Sequence, residues 1–202
     1  MLVCCLDLEG VLVPEIWIEV AKRFKVKELL LTTRDIPDYD RLMKYRIGIL
    51  KSKGIKLRDI QKVIEGIQPL PGAAAFLKAL KSRSAAVIIL SDTFYEFAGP
   101  LMSKLEQPAL FCNTLKADSK GFISGYKLRQ NDGKTKAVKA LQTIGFRVHA
   151  AGDSYNDVGM LKTAERGIFF NPPVSIKNKF KRFPAVTSYA QLLRLLTASY
   201  SR

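Results

Sequence analysis

Asp7 and Glu9 stand two positions apart directly after the apolar run Leu2-Val3-Cys4-Cys5-Leu6, which reads as a buried strand, and Gly10 follows them where a sharp turn is needed. Two later apolar runs end the same way. Ala85 to Leu90 leads into Ser91-Asp92-Thr93, and Arg147 to Ala151 leads into a turn that carries Asp153, Asn156 and Asp157. A fourth turn, Asn131-Asp132-Gly133-Lys134, contributes a cation. In open α/β sheets the ligand crevice lies beyond the carboxyl ends of the strands, so acids placed there face substrate and metal rather than sitting buried and unpaired. Brought to one sheet edge, these groups supply a nucleophile, a hydroxyl donor, a cation and metal ligands. That set suits phosphoryl transfer, in which positioning and charge stabilisation dominate the chemistry. Each group alone has a plainer reading. The acids are compatible with solvated turns, Ser91 with the N-cap of a following helix, Lys134 with the surface, and Asp92 and Asn156 with tight-turn residues.

The elements that must position these residues follow from hydrophobic spacing. After Pro14 a helical stripe runs through Ile16, Val20 and Phe24, a break covers 32–39, and two further helices are expected over 39–53 and 57–67. Pro69-Leu70-Pro71-Gly72 stops this region, which reads as a helical insertion between the first two core strands. Beyond Ser91 helices and strands alternate, which favours a parallel sheet: a helix over 94–105, a strand near Leu110, a hairpin over 121–128, and a helix over 135–144. The strand 147–151 is followed by a helix through Leu161, late strands at 167–170 and 185–187, and a last helix with Ser188 and Gln191 at capping-box spacing.

The chain has 202 residues, 48% hydrophobic and 25% charged, as expected for one full-sized core with an insertion. No apolar stretch approaches the roughly 20 residues that span a bilayer, and Met1 leads straight into the first strand without a basic leader; no membrane partner and a cytoplasmic location are expected. Cys4 and Cys5 point to opposite faces of one strand and Cys112 is odd, so no disulfide framework is expected. The net charge of +15 raises nucleic acid as a partner, but the basic residues are distributed and the one dense stretch, Lys177 to Arg182, reads as a solvated face; steering of anionic phosphate esters is the alternative use. His149 lies inside a strand and reads as a core or edge residue.

The four polar motifs, in this order, resemble those of the haloacid dehalogenase superfamily of aspartate-nucleophile phosphotransferases, over essentially the whole chain. The similarity is closest to its branch of bifunctional phosphoserine phosphatases/homoserine phosphotransferases. It is carried by Cys5-Leu6-Asp7-Leu8-Glu9-Gly10-Val11-Leu12-Val13-Pro14-Glu15-Ile16-Trp17, Thr32-Thr33-Arg34-Asp35-Ile36-Pro37-Asp38-Tyr39-Asp40, Leu90-Ser91-Asp92-Thr93-Phe94-Tyr95-Glu96-Phe97 and Ala151-Gly152-Asp153-Ser154-Tyr155-Asn156-Asp157. The resemblance implies an α/β, Rossmann-like core of parallel strands from 1–13 and 71–202, with a small helical cap, 14–70, inserted after the first strand.

By the same resemblance Asp7 is the nucleophile that becomes an aspartyl-phosphate, and Glu9 is general acid and then general base. Mg²⁺ is held by Asp7, the Glu9 carbonyl and Asp153, with Asp157 orienting a metal-bound water. Ser91 and Lys134 hold the transferring phosphoryl group, Lys136 competing with Lys134 for that role, while Asp92 and Asn156 contact substrate. Glu15 binds the substrate ammonium and Arg46 its carboxylate; apart from the resemblance these read as a helix-start charge and a solvated helix face. Phosphoserine and homoserine are the implied small-molecule substrates, nucleic acid is not an expected partner, and a homo-oligomer stays open. Two departures from the wider superfamily, Glu9 for the usual Asp and Asp92-Thr93 for the glycines of strict phosphoserine hydrolases, agree with an alcohol replacing water as acceptor.

Overall fold

The structure is a computed structural model and describes residues 1–32, 35–36, 38–83, 85–106 and 108–198. Thr33, Arg34 and Pro37 of the expected break lie outside the described residues. Strand β1 (Leu2–Leu6) is followed by helices α1 (Ile16–Phe24), α2 (Tyr39–Ser52) and α3 (Leu57–Gly66), with a 3-10 turn at Lys27–Leu30 that hydrophobic spacing does not signal. Then come α4 (Ala73–Ser82), β2 (Ala86–Phe94), α5 (Tyr95–Lys104), β3 (Ala109–Ala117) and β4 (Ile123–Lys127). The chain continues with α6 (Gly133–Thr143), β5 (Arg147–Gly152), a 3-10 turn at Tyr155–Asp157, α7 (Val158–Thr163), β6 (Arg166–Phe170), α8 (Val174–Lys179), β7 (Ala185–Val186) and α9 (Tyr189–Thr197).

The sheet has the order β4-β3-β2-β1-β5-β6-β7 and is parallel except for the antiparallel β3–β4 hairpin at its edge. The strand order reverses around β1, which pairs with β2 on one side and β5 on the other. A crevice therefore opens beyond the carboxyl ends of β1, β2 and β5, where the three polar motifs stand. Period-two alternation separates the two cores: Cys4 packs with the cluster that includes α4, α9 and the inserted helices, while Cys5 packs with α6, α7 and α8. All three cysteines are free, and burial pushes Cys4 and Cys5 up to about 12, which keeps them as neutral packing groups.

The structure corrects some sequence expectations and bears out others. β2 does not stop at Leu90 but continues through Ser91 to Phe94, pairing irregularly with β3, so the following helix starts at Tyr95 with Phe94 at its N-cap and Ser91 is not a helix cap. The basic stretch from Lys177 bears out the expected solvated face, with Lys177, Lys179, Lys181 and Arg182 all exposed. It includes the end of α8, and Lys179 places its ammonium 5.1 Å from the Tyr155 ring centre. Ser188 Oγ accepts from Gln191 N at 3.3 Å, but Gln191 returns its bond to Thr187 N at 3.3 Å, so half of the expected capping box forms. His149, read as a core or edge residue, is indeed buried in β5, with Nδ1 2.6 Å from the Leu196 carbonyl of α9.

Both ends of the inserted helical region meet at the first strand's exit. Leu70 N donates to Leu12 O at 2.9 Å, which closes the excursion. The Leu8–Val13 turn folds back on itself through bonds from Leu12 and Val13 to Leu8 O, with Gly10 at φ 75°, a conformation that costs a residue with a Cβ. From the far end of the chain, Tyr189 donates its hydroxyl to Val11 O at 2.6 Å while its ring stacks on Phe76 and Phe170. No helix among the described residues is long and apolar enough to cross a membrane.

Candidate active site

Asp7 extends the β1–β5 ladder by one bond, donating its N–H to Ala151 O at 2.9 Å. Its carboxylate stands at the strand end as the sequence suggested, but it is largely buried rather than solvated. It is 4% exposed and escapes the cost of an unpaired buried charge because Lys134 Nζ lies 2.9 Å from Oδ1. Leu8 N also donates to Oδ1, at 2.7 Å. Lys134 stands in the first turn of α6, 5% exposed, and its ammonium contacts Asp157 Oδ1 at 2.7 Å and reaches within 3.9 Å of Asp92 Oδ2. Burial pulls Lys134 down, but the carboxylates of Asp157, Asp7 and Asp92 outweigh it and hold the ammonium well above its ordinary value. Lys136 is exposed on the same helix.

Asp157 is fully buried and fully engaged: Lys134 takes Oδ1, and the N–H groups of Asp153 and Ser154 donate to Oδ2 at 3.0 Å each. Gly152 leaves the room for this arrangement, since a Cβ there would come within 2.4 Å of Asp157 Cβ. Asp7, Asp153 and Asp157 offer carboxylate oxygens that all lie within 4.8 Å of one another. Burial, then the charges of Asp157 and Glu15, push Asp153 up to about 7. Burial and Asp157 likewise raise Asp7 well above the usual carboxylate range, against the pull of Lys134. Three crowded carboxylates with one ammonium among them form a hard-oxygen donor set with surplus negative charge, which fits a Mg²⁺-like cation. A Cβ at Gly10 would stand 2.6 Å from the Asp153 carboxylate carbon, so the glycine turn also leaves space for this acid.

Glu9 lies beside the triad in a different environment. Its Oε2 accepts from Ile16 N, the first residue of α1, at 2.8 Å, and the Thr93 side chain is a further hydrogen-bond partner. Burial, with Glu15 adding repulsion, pushes its carboxyl up to about 8, while the Ile16 N–H, Arg46 and Thr93 favour the charged form. A carboxyl poised near neutrality can both give and take a proton. Thr93 N donates to the buried Ser91 Oγ at 3.2 Å. The exposed Asp92 carboxylate accepts from Asn156 Nδ2 at 2.7 Å, and Ser154 Oγ bonds Asn156 Oδ1, so one short network joins the ends of β2 and β5.

Arg46 is not on a solvated helix face. It is 7% exposed, lies 4.5 Å above the Trp17 ring, and donates from Nη2 to Leu31 O at 2.8 Å. Its Nε is buried without a hydrogen-bond partner among the described residues. Burial lowers the guanidinium to about 10 against the charges of Glu9, Tyr39 and Glu15, which share its surroundings. Glu15 occupies the N-cap position of α1 without a side-chain cap bond and is exposed. Sequence reasoning missed three neighbours of this set. Thr93 meets Glu9, Tyr39 donates its hydroxyl to Asp92 O at 3.2 Å, and Tyr189 buttresses the turn after Asp7. The first two sit inside motif segments, so their position was a signal without a role; Tyr189 had none.

An acid after β1, a hydroxyl within β2, an ammonium on α6 and further acids after β5 of a doubly wound sheet are the set expected of aspartate-nucleophile hydrolases. The haloacid dehalogenase-like hydrolase family model matches residues 1–165, and the chain belongs to that family. It is similar to the phosphoserine phosphatase ThrH of Pseudomonas aeruginosa, 50% identical over 202 residues that cover all of this chain and 98% of the relative. A phosphoserine phosphatase of Pseudomonas syringae pv. tomato is 50% identical over 190 residues, 94% of this chain and 80% of the relative. Among solved structures, a phospho-aspartyl intermediate analogue of phosphoserine phosphatase superposes with a TM-score of 0.79 at 22% identity, covering 95% of this chain and 97% of the other, a likeness of fold.

Proposed function

We propose that this chain is a Mg²⁺-dependent phosphoserine phosphatase that works through an aspartyl-phosphate on Asp7 and can pass the phosphoryl group to homoserine as well as to water. Residues 14–70 act as a cap that supplies substrate recognition, and a cytoplasmic location goes with this reading. The observation that carries the substrate class is Arg46: a buried guanidinium whose Nε has no partner among the described residues, held over Trp17 beside Glu9 and with Glu15 nearby. An amino-acid carboxylate would suit that fork, and Glu15 would attract the ammonium. The names of the relatives at 50% identity support the same reading.

Because Lys134 and Leu8 N both bind Asp7 Oδ1, Oδ2 is the oxygen that attacks phosphorus. As the bond from phosphorus to the serine oxygen breaks, Glu9 gives that oxygen its proton; it then takes a proton from water or from the homoserine hydroxyl, whose oxygen displaces Asp7. Ser91 and Lys134 hold the equatorial phosphoryl oxygens, and Asp92 and Asn156 border the acceptor. Asp7, Asp153 and the Glu9 carbonyl would hold Mg²⁺, with Asp157 fixing their surroundings; the cation, when bound, offsets phosphoryl charge. A panel of phosphorylated metabolites assayed with Mg²⁺, with and without homoserine, tests the reading. Phosphoserine should lead, and label from it should enter phosphohomoserine. A preference for nucleotide or sugar phosphates overturns the substrate; label found only as inorganic phosphate overturns the transfer.

A further inference from the structure

We propose that the β3–β4 hairpin is a clasp that holds the inserted helices in place over the phosphoryl site, with Tyr126 as its positioning residue. Tyr126 is locked into the sheet by its pairing with Leu115 of β3. Its hydroxyl donates to Asp40 Oδ1 at 2.7 Å in the first turn of α2, and its ring meets Tyr39 edge to face with centroids 5.7 Å apart and Phe94 of β2 at 6.2 Å. Tyr39 in turn donates to Asp92 O, which also accepts from Asn113 Nδ2 of β3 at 3.0 Å. The hairpin loop grips the next helix at the same end. Leu57 N, at the start of α3, donates to Gly121 O at 3.0 Å, and the Lys56 ammonium lies 5.5 Å from the Phe122 ring centre.

Both helix N-termini are thus tied to one two-stranded arm of the core sheet. The consequence reaches the substrate pocket through α2, a single helix on which Arg46 stands two turns beyond Tyr39, about 10 Å along the axis. A rigid helix fixed at its first turn fixes the guanidinium; released there, it lets Arg46 swing away from Glu9. Tyr126 touches neither substrate nor reacting atoms and acts through Asp40 and Tyr39. This inference rests on the reading of Arg46 as the carboxylate-binding residue.

The test compares Tyr126→Phe, which keeps the ring and removes only the hydroxyl, with Asp40→Ala and the double variant, on phosphoserine and on 4-nitrophenyl phosphate. Losing one partly exposed, charge-assisted hydrogen bond should raise KM for phosphoserine about three- to tenfold in Tyr126→Phe, leave its kcat within about twofold, and leave KM for the aryl phosphate unchanged. In the Asp40→Ala background the same change should have no further effect on KM. Hydrogen exchange of the amides at 42–46, measured without substrate, should speed by a similar factor. Unchanged KM with unchanged exchange overturns the clasp, as do equal KM increases on both substrates, the mark of a general structural role. If the unmodified protein does not hydrolyse phosphoserine, the substrate reading fails by itself, and the exchange measurement decides the clasp.

Discussion

On the proposed mechanism, replacing Glu9 with Gln should separate the two halves of the reaction. A carboxyl with its proton held to about 8 is about 90% in the acid form at pH 7, whereas one titrating at 4.5 would be about 0.3% protonated, so burial multiplies the available acid by roughly 300. Gln cannot donate an acidic proton to an alkoxide, yet its carbonyl still accepts the Ile16 N–H, so the turn is preserved. General acid catalysis contributes about 10²- to 10⁴-fold, and phosphoserine turnover should fall by that factor. 4-Nitrophenolate leaves without protonation, so Glu9→Gln should still form the aryl-derived acyl phosphate and then stall for want of a base. Stopped-flow absorbance should show a burst approaching one nitrophenolate per protein followed by slow turnover. Linkage gives an independent readout. Glu9 binds its proton more tightly in the folded chain, so its favourable contribution is fully present below 4.5 and lost as pH rises through 8; thermal melts of Glu9→Gln should be flatter over that window. No burst, or phosphoserine turnover within tenfold of the unmodified protein, refutes the assignment.

Three further outcomes follow from the same geometry. Lys134→Ala leaves Asp7 and Asp157 buried without their cation and should cost about 3–5 kcal/mol in urea unfolding at pH 7 along with activity. Gly10→Ala forces a Cβ against Asp153 at positive φ; the apparent Mg²⁺ affinity, read by titration of activity and by cation-dependent melting, should fall about 10- to 100-fold. Arg46→Ala should raise KM for phosphoserine at least tenfold while changing 4-nitrophenyl phosphate kinetics by less than threefold, since only the amino-acid substrate presents a carboxylate to the guanidinium.

The parallel character of the sheet and the strand-end acids were legible because both leave local signals, whereas the strand order came only from the structure. An apolar run followed by Asp and Gly marks a strand and its turn, and alternation with helices points to parallel pairing. β2 outran its expected end because the polar Ser91 and Asp92 read as the start of a turn, while β3, reaching Asn113 opposite Phe94, lets the strand continue. The sequence also marked Arg46 as a candidate but could not show its burial, because Trp17 lies on another helix. The clasp and the Tyr189 buttress had no local signature. Tyr126 meets Asp40 across 86 residues and Tyr189 meets Val11 across 178, and only the folded chain brings such pairs together.

That last separation has a bearing on how the protein is made. A chain emerging from the ribosome carries Asp7, Glu9, Ser91, Lys134 and Asp153 well before α9 exists. Until α9 docks, Val11 O lacks its donor, and Phe76 and Phe170 lack the ring stacked on each of them. The turn after Asp7 is thus completed late, by a helix that carries none of the proposed site residues. On the proposed mechanism, acquisition of activity during synthesis should accordingly track the release of α9 rather than the appearance of the site residues.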